Sequence, residues 1–322
     1  MVPSISGQHP LRGVALGIGD DSAVLSPDRR SDWVLSTDAF LERVHFLAKV
    51  HPPDSVGYKA LARAASDLVA MGATPRYFLL TLAVPMSRTG TWLDAFLAGM
   101  ARAARSLGMR LIGGDTTNSD SIAISITVLG EIPRGHALTR SGAKPGDHIY
   151  VTGSLGAAQL GLDLVLNGLG GRRALQPFLR PNLYPKVRAK LGEWIARHGI
   201  ASAMMDISDG LSTDLARLCA ASRVGARIDA ACVPRVTIPA ILSRASKKLG
   251  LDPLEMALHG GDDYGLLFTV PPRQVKRLCR APGFSDLTAI GKITRRRRIV
   301  LAGPDGSESP LEARGWDSFR HR

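Results

Sequence analysis

Apolar and polar residues alternate at Ile122, Ile124, Ile126 and Val128, the period-two pattern of a strand with one buried face. Trp33 to Ser36 and Phe78 to Val84 are two further apolar runs that predict strands. Between them the period changes. The spacing predicts a helix capped by Ser55, running to Met71 and stopped by Gly72. A second helix spans Thr91 to Leu107, with Trp92, Phe96, Met100, Ala103 and Leu107 on one face and Gly108 as its stop. From Pro133 to Gly146 the chain turns to Pro, Gly and basic residues, which places a domain boundary between residues 137 and 138. Beyond it, Ile149 to Thr152 predicts a strand, followed by a helical run to Leu166. Helices follow at Lys186 to His198 and Thr213 to Ala221, with strands at Ala226 to Asp229 and Leu266 to Val270. Strands and helices interleaved in this way give α/β, or α+β, layers in two domains, 1–137 and 138–322.

A length of 322 residues, 45% of them hydrophobic and 34 of them Gly, fits two domains with real cores and excludes disorder. No apolar stretch is long enough to cross a membrane, and Met1 to Arg12 has no apolar signal region, so the expectation is a cytoplasmic protein. Cys219, Cys232 and Cys279 lie far apart, without a CxxC or a His cluster. They read as reduced core residues, not as a disulfide or a zinc set.

The net charge of +13 raises nucleic acid as a partner. Much of the excess is local, in Arg295 to Arg298 between two strand-like runs, which reads as a hairpin turn, and on scattered helix faces. Aromatic residues are only 5% and none interleave with the Arg run, which leaves little surface for stacking bases. A basic nucleic-acid-binding protein is therefore the weaker reading.

The chain has no GxxxxGK[ST], no GxGxxG opening a helix, and no HRD or DFG pair. It offers instead six aspartate turns, at Gly19-Asp20-Asp21, Ser36-Thr37-Asp38, Ser66-Asp67, Gly113-Gly114-Asp115, Asp206-Ile207-Ser208-Asp209 and Gly260-Gly261-Asp262-Asp263. Any one of them could be an ordinary turn. Six together call for a cation, because clustered carboxylates repel unless one neutralises them. Hard oxygen donors without Cys or His point to Mg²⁺, and glycines let backbone amides approach phosphate. Mg²⁺ bridging nucleotide phosphates is the chemistry of phosphoryl transfer.

The motifs GIGDDSAV, STDAFLERVHF, SDLVAMGATP, GGDTTNSD, ALTRSGAKPGD, MDISDGLSTDL and GGDDYGLLF, in this order, resemble the thiamine-monophosphate kinase family. That family belongs to the superfamily of aminoimidazole ribonucleotide synthetase and selenophosphate synthetase. The resemblance runs from about Leu16 to about Phe319. It implies the two-domain aminoimidazole ribonucleotide synthetase-like fold, with strands of the N-terminal domain pairing across a homodimer. It also implies direct ATP-dependent phosphorylation of thiamine phosphate to thiamine diphosphate with several Mg²⁺ ions, K⁺ being a candidate additional ion. A sister ATP-dependent enzyme with another acceptor would keep the same aspartates. By motif, Asp21, Ser36, Thr37, Asp38, Asp67, Asp115, Asp206 and Asp209 are metal-site candidates, Asp38 and Asp209 being the catalytic pair. Gly114, Asp115, Arg140 and Ser208 are nucleotide candidates, and His45, Asp262 and Trp316 are substrate candidates.

These residues also have plain structural readings. Arg140 could be a solvated linker charge, His45 a satisfied structural histidine and Trp316 a tail anchor, while Lys59 and Tyr58 read as packing and surface. The chain departs from the family's GGEDYE turn, with Asp262 in place of Glu and Gly265 in place of the second Glu. The lead before the GDD turn is short, so the helical segment found there in relatives is expected to be absent or very short.

Overall fold

The computed structural model describes residues 14–16, 20, 22–25, 30–242, 249–279 and 285–319. The segment before Val14, where the short lead was expected, lies outside them. The first half contains β1 (Val14–Leu16), β2 (Ala23–Leu25), β3 (Ser31–Leu41), α1 (Pro53–Ala70), β4 (Thr74–Val84), α2 (Thr91–Leu107), β5 (Arg110–Asn118) and β6 (Ala123–Pro133). Its six strands lie in the order β1-β2-β3-β6-β4-β5. The alternating isoleucines of β6 face inward, and Ile124, Ile126 and Val128 are buried with Phe78, Leu82 and Phe96 under the two helices. On the other face Trp33 stacks on Tyr77, and Leu79 stays exposed.

Helix α1 starts two residues before the expected cap. Pro53 occupies its first turn, where a missing N–H costs nothing, and the Ser55 hydroxyl donates to the Pro52 carbonyl. It ends as predicted, with Gly72 at φ +77°. The crossing of α1 with α2 depends on two glycines. A Cβ on Gly57 would lie 1.9 Å from the Phe96 carbonyl oxygen, and one on Gly99 would lie 1.8 Å from that of Asp54. The helices therefore touch backbone to backbone.

The second half contains β7 (His148–Thr152), α3 (Ala157–Leu166), α4 (Gln176–Leu183), α5 (Ala189–Arg197), β8 (Ala203–Ile207), α6 (Leu211–Ser222), β9 (Gly225–Asp229), α7 (Pro253–His259), β10 (Gly265–Val270), α8 (Pro272–Cys279), β11 (Leu287–Thr294), β12 (Ile299–Ala302) and β13 (Glu308–Pro310). Its seven strands lie in the order β13-β12-β9-β11-β7-β10-β8. Strands β8 and β10 are buried along their whole length, as a run without alternation requires. Val69 of α1 packs with Leu191, Ile195 and Phe268 of this half, so α1 is core to both sheets.

Two expectations are corrected. Arg295 to Arg298 does not close a hairpin, because β9 lies between β11 and β12 and pairs with both; the run crosses over the end of β9. Of the cysteines only Cys219 is buried, whereas Cys232, in the turn after β9, and Cys279, the last residue of α8, are exposed.

Candidate active site

Beyond its first turn, helix α1 is largely apolar apart from a polar stripe, Lys59, Arg63, Ser66 and Asp67, whose helical spacing keeps these residues on one face. That stripe meets the inward-facing polar residues of β3. Arg63 binds Asp38 through two bonds, Nε to Oδ2 at 2.6 Å and Nη2 to Oδ1 at 3.1 Å. Ser36 donates its hydroxyl to Asp67 Oδ2 at 2.6 Å. Burial alone would favour a neutral Arg63. Tyr264, Asp38 and Asp262 around it more than offset that, and its pKa is raised.

The turn from β8 into α6 supplies the second group of acids. Asp206 is buried and accepts from the Ser66 hydroxyl of α1, which ties the two halves together at this point. Asp214, one turn into α6, holds the turn closed by accepting from the amides of Ser208, Asp209 and Gly210 at 3.1, 3.0 and 3.1 Å. Arg217 bridges Asp209 and Asp214 at 2.6 and 2.9 Å. Burial, and then the charges of Asp206 and Asp209, push the Asp214 carboxyl well above its usual range against the opposing Arg217. The carboxylates at this turn are crowded enough to stabilise any cation placed beside them.

The third group is the turn from α7 into β10. Asp262 and Tyr264 both have positive φ, +67° and +48°, a conformation that non-glycine residues hold only where the surroundings enforce it. Here Asp262 accepts from Lys59 Nζ at 2.7 Å and from the Tyr264 hydroxyl at 2.6 Å. Burial would raise its pKa, but Lys59 and Arg63 outweigh that and hold it below the usual carboxylate range. Asp263 caps α3, accepting from the Gly156 and Ala158 amides at 2.7 and 3.1 Å. Burial is the largest influence on it and pushes its carboxyl up to about 7. Gly265 has a steric reason for being glycine. Its Cβ would lie 2.9 Å from the Thr152 carbonyl oxygen, and the Thr152 hydroxyl accepts from the Leu266 amide.

From each of these groups some residues, Arg63, Asp67, Asp206, Asp209, Asp262 and Tyr264 among them, line one cavity of about 680 Å³, closed on one side by His45 and Trp316, whose rings are 6.5 Å apart. His45 Nδ1 accepts from the Leu41 amide at 3.0 Å, so the ring proton sits on Nε2. Burial, then the Arg63 charge, lowers its pKa to about 4, and at neutral pH it is an uncharged N–H donor. Trp316 is carried by the C-terminal segment, where the Trp316 amide bonds the Asp209 carbonyl at 2.8 Å.

Of the residues singled out in the sequence, Asp38, His45, Asp67, Asp206, Ser208, Asp209, Asp262 and Trp316 line this cavity, and Ser36 supports it through Asp67. Others lie elsewhere. Thr37 is on the opposite face of β3, its hydroxyl 3.2 Å from that of Thr127. Gly114 and Asp115 are on β5, the exposed edge strand, and a Cβ on Gly114 would lie 1.9 Å from the Leu80 carbonyl oxygen. The register Ala39–Ser125–Thr81–Asp115 puts Asp115 three strands from β3, about 14 Å at the usual strand spacing. The Arg140 amide bonds the Asp20 carboxylate and its carbonyl accepts from Ser222, outside the cavity lining. Asp21 lies outside the described residues. Lys59, read as packing or surface, is corrected: it is buried and paired with Asp262. Arg63, Asp214, Tyr264, His259 and Arg314 were not anticipated. The spacing of Lys59, Arg63 and Asp67 within an Ala-rich helix was a legible sign for the first of these. Among the described residues no three acidic, imidazole or thiol groups form a ready-made cation site.

The sequence matches the AIR synthase related protein family, its N-terminal domain over residues 19–132 and its C-terminal domain over 144–303. It is 38% identical to the thiamine-monophosphate kinase of Escherichia coli strain K12 over 310 residues, 95% of this chain and 92% of that one. It is 33% identical to the Bacillus subtilis thiamine-monophosphate kinase, over 95% and 94% of the two chains. A solved structure of AaThiL complexed with AMPPCP and TMP superposes with a TM-score of 0.81 at 32% identity, covering 93% of this chain and 91% of that one. The fold, the cavity and these relatives agree: the chain belongs to the thiamine-monophosphate kinase family of AIR synthase related proteins.

Proposed function

We infer that this chain phosphorylates thiamine phosphate to thiamine diphosphate with ATP as donor. The observation that carries the reading is one cavity with Asp38, Asp67, Asp206 and Asp209 converging from both halves of the molecule and with His45, Asp262 and Trp316 also in its lining. Relatives under the same name, and one bound to an ATP analogue and TMP, support it.

The donor set fits Mg²⁺. All four acids offer hard oxygens, and Mg²⁺ uses a few carboxylates together with substrate phosphates in place of an all-protein cage. Asp38, Asp67, Asp206 and Asp209 would hold it, with Ser36 orienting Asp67 and K⁺ as a further candidate ion. When bound, Mg²⁺ neutralises phosphate charge that would otherwise keep donor and acceptor apart. Ser208 faces the nucleotide side, its turn held in shape by Asp214, with Arg140 proposed to approach a phosphate there.

The acceptor is a phosphate oxygen, already ionised near neutral pH, so the protein need not remove a proton from it. That oxygen bonds to the γ-phosphorus as the bond to the β–γ bridging oxygen breaks and ADP departs. Asp38 and Asp209 therefore act by charge and position. His45 Nε2–H donates to the acceptor phosphate without adding a charge, Asp262 faces the cationic ring of thiamine phosphate, and Trp316 covers it.

Asp115 enters through a second copy. Within one chain it is three strands from Asp38, on the same exposed sheet face as Thr37. Pairing that face and the open β5 edge across a homodimer brings each Asp115 and Gly114 toward the other subunit's site. We place the division between domains at residues 137 and 138 and the enzyme in the cytoplasm; among the described residues no helix is long and apolar enough to cross a membrane. ADP release with thiamine phosphate as acceptor, present with Mg²⁺ and lost with EDTA, is the expected result. No release with thiamine phosphate, but release with another phosphorylated acceptor, would overturn the substrate.

A further inference from the structure

The C-terminal segment reaches the cavity as a strap, and its fastening is more elaborate than a tail packed on a core requires. Three successive amides of the strap are bonded to the β8–α6 turn and the start of α6: Arg314 N–H to Ser212 Oγ at 3.4 Å, Gly315 N–H to Thr213 Oγ1 at 2.9 Å, and Trp316 N–H to the Asp209 carbonyl at 2.8 Å. Gly315 lies so close that a Cβ would sit 2.0 Å from the Asp209 oxygen. The Arg314 side chain then crosses to α7. Its Nη2 is 2.7 Å from His259 Nε2 and 3.1 Å from Glu255 Oε2.

A guanidinium has only donors, so His259 Nε2 is the acceptor, and the imidazole is neutral with its proton on Nδ1. That proton is donated to Ser212 Oγ at 2.8 Å. Arg314, His259 and Ser212 thus form one directed chain from the strap, through α7, to α6. The His259 side chain is only 11% exposed, and its orientation is fixed at both nitrogens. Two residues along the strap is Trp316, facing His45.

We propose that Arg314, His259 and Glu255 form a latch that positions Trp316 over the thiamine phosphate end of the cavity, and so set the affinity for that substrate. They are positioning residues that act through Trp316. This rests on the reading of Trp316 as a substrate cover. The latch joins the strap to α7, two residues before Gly261 and three before Asp262, so the cover and the Asp262 turn share one anchor. The latch side chains belong to the strap and α7, whereas β3 and α1 carry the nucleotide side; the β8–α6 turn is shared, since the strap amides and His259 bond to it and to the start of α6.

The test uses Arg314→Ala, Arg314→Lys, His259→Leu and His259→Gln in the full-length enzyme. Gln places an acceptor near the position of Nε2, and Lys keeps a donor at the end of the strap. Arg314→Ala and His259→Leu are expected to raise the KM for thiamine phosphate about tenfold, with kcat falling less than about threefold and the KM for ATP changing least. Arg314→Lys and His259→Gln are expected to recover most of the loss. Acrylamide quenching, taken as the difference between each variant and the same variant carrying Trp316→Phe, should show Trp316 more accessible in Arg314→Ala and His259→Leu alone. This arm needs no substrate, so it tests the latch even if thiamine phosphate proves not to be the acceptor. Unchanged quenching of Trp316, or equal changes in both KM values, would overturn the proposal.

Discussion

Asp262 shows how a residue's partners alter what its substitution measures. From sequence it is a shortened carboxylate in a substrate turn. In the fold its carboxylate already neutralises Lys59, whose side chain is only 4% exposed. Asp262→Ala is therefore expected to lower unfolding free energy by about 3 kcal/mol, because it strands a buried cation, and pairing it with Lys59→Met should restore most of that. Denaturant midpoints of the two variants check this, and an additive double variant would refute it. His45 gives a second residue-scale outcome. Its pKa is about 4 in the fold against about 6.5 when unfolded, so the unfolded chain binds the proton more readily. Its contribution is present above pH 6.5 and is lost as pH falls toward 4. His45→Gln should flatten that limb of the stability profile. The acids of the site were legible because they recur beside glycines and small residues in short motifs. The partners of Lys59 and Arg314 were not, since a lone cation shows its partner only once the chain is folded.

At the scale of elements, long periodic segments were readable and crossings were not. Helix α2 matches its expected span, from Thr91 to Leu107, because five apolar residues at helical spacing leave little choice. Helix α4 gave no such pattern, with two prolines in eight residues. The Arg run misled because a hairpin and a crossover look alike when the intervening strand, β9, comes earlier in the chain. The α1–α2 crossing gives an outcome opposite to helix propensity. Alanine is the better helix former by about 1 kcal/mol, yet Gly99→Ala would drive a methyl into the Asp54 carbonyl. A net loss of about 2 kcal/mol, measured by urea unfolding, is expected, with secondary structure retained by circular dichroism. A gain in stability would mean that the helices are not in backbone contact.

For the molecule as a whole, two domains did not produce two independent cores. Because α1 packs under the first sheet and against Leu191, Ile195 and Phe268 of the second half, calorimetry is expected to show one transition and not two. The place of Asp115 has a genetic consequence. If each site draws Asp115 from one subunit and Asp209 from the other, Asp115→Asn and Asp209→Asn protomers are individually inactive but complementary. Mixed and reassociated in equal amounts, half of the dimers would be hybrids, each holding one site with both lesions and one with neither. Roughly a quarter of the wild-type activity should then return from two dead proteins. Two damaged gene copies in one cell would together support growth that neither supports alone, whereas a site made within one chain would leave the mixture as inactive as its parts.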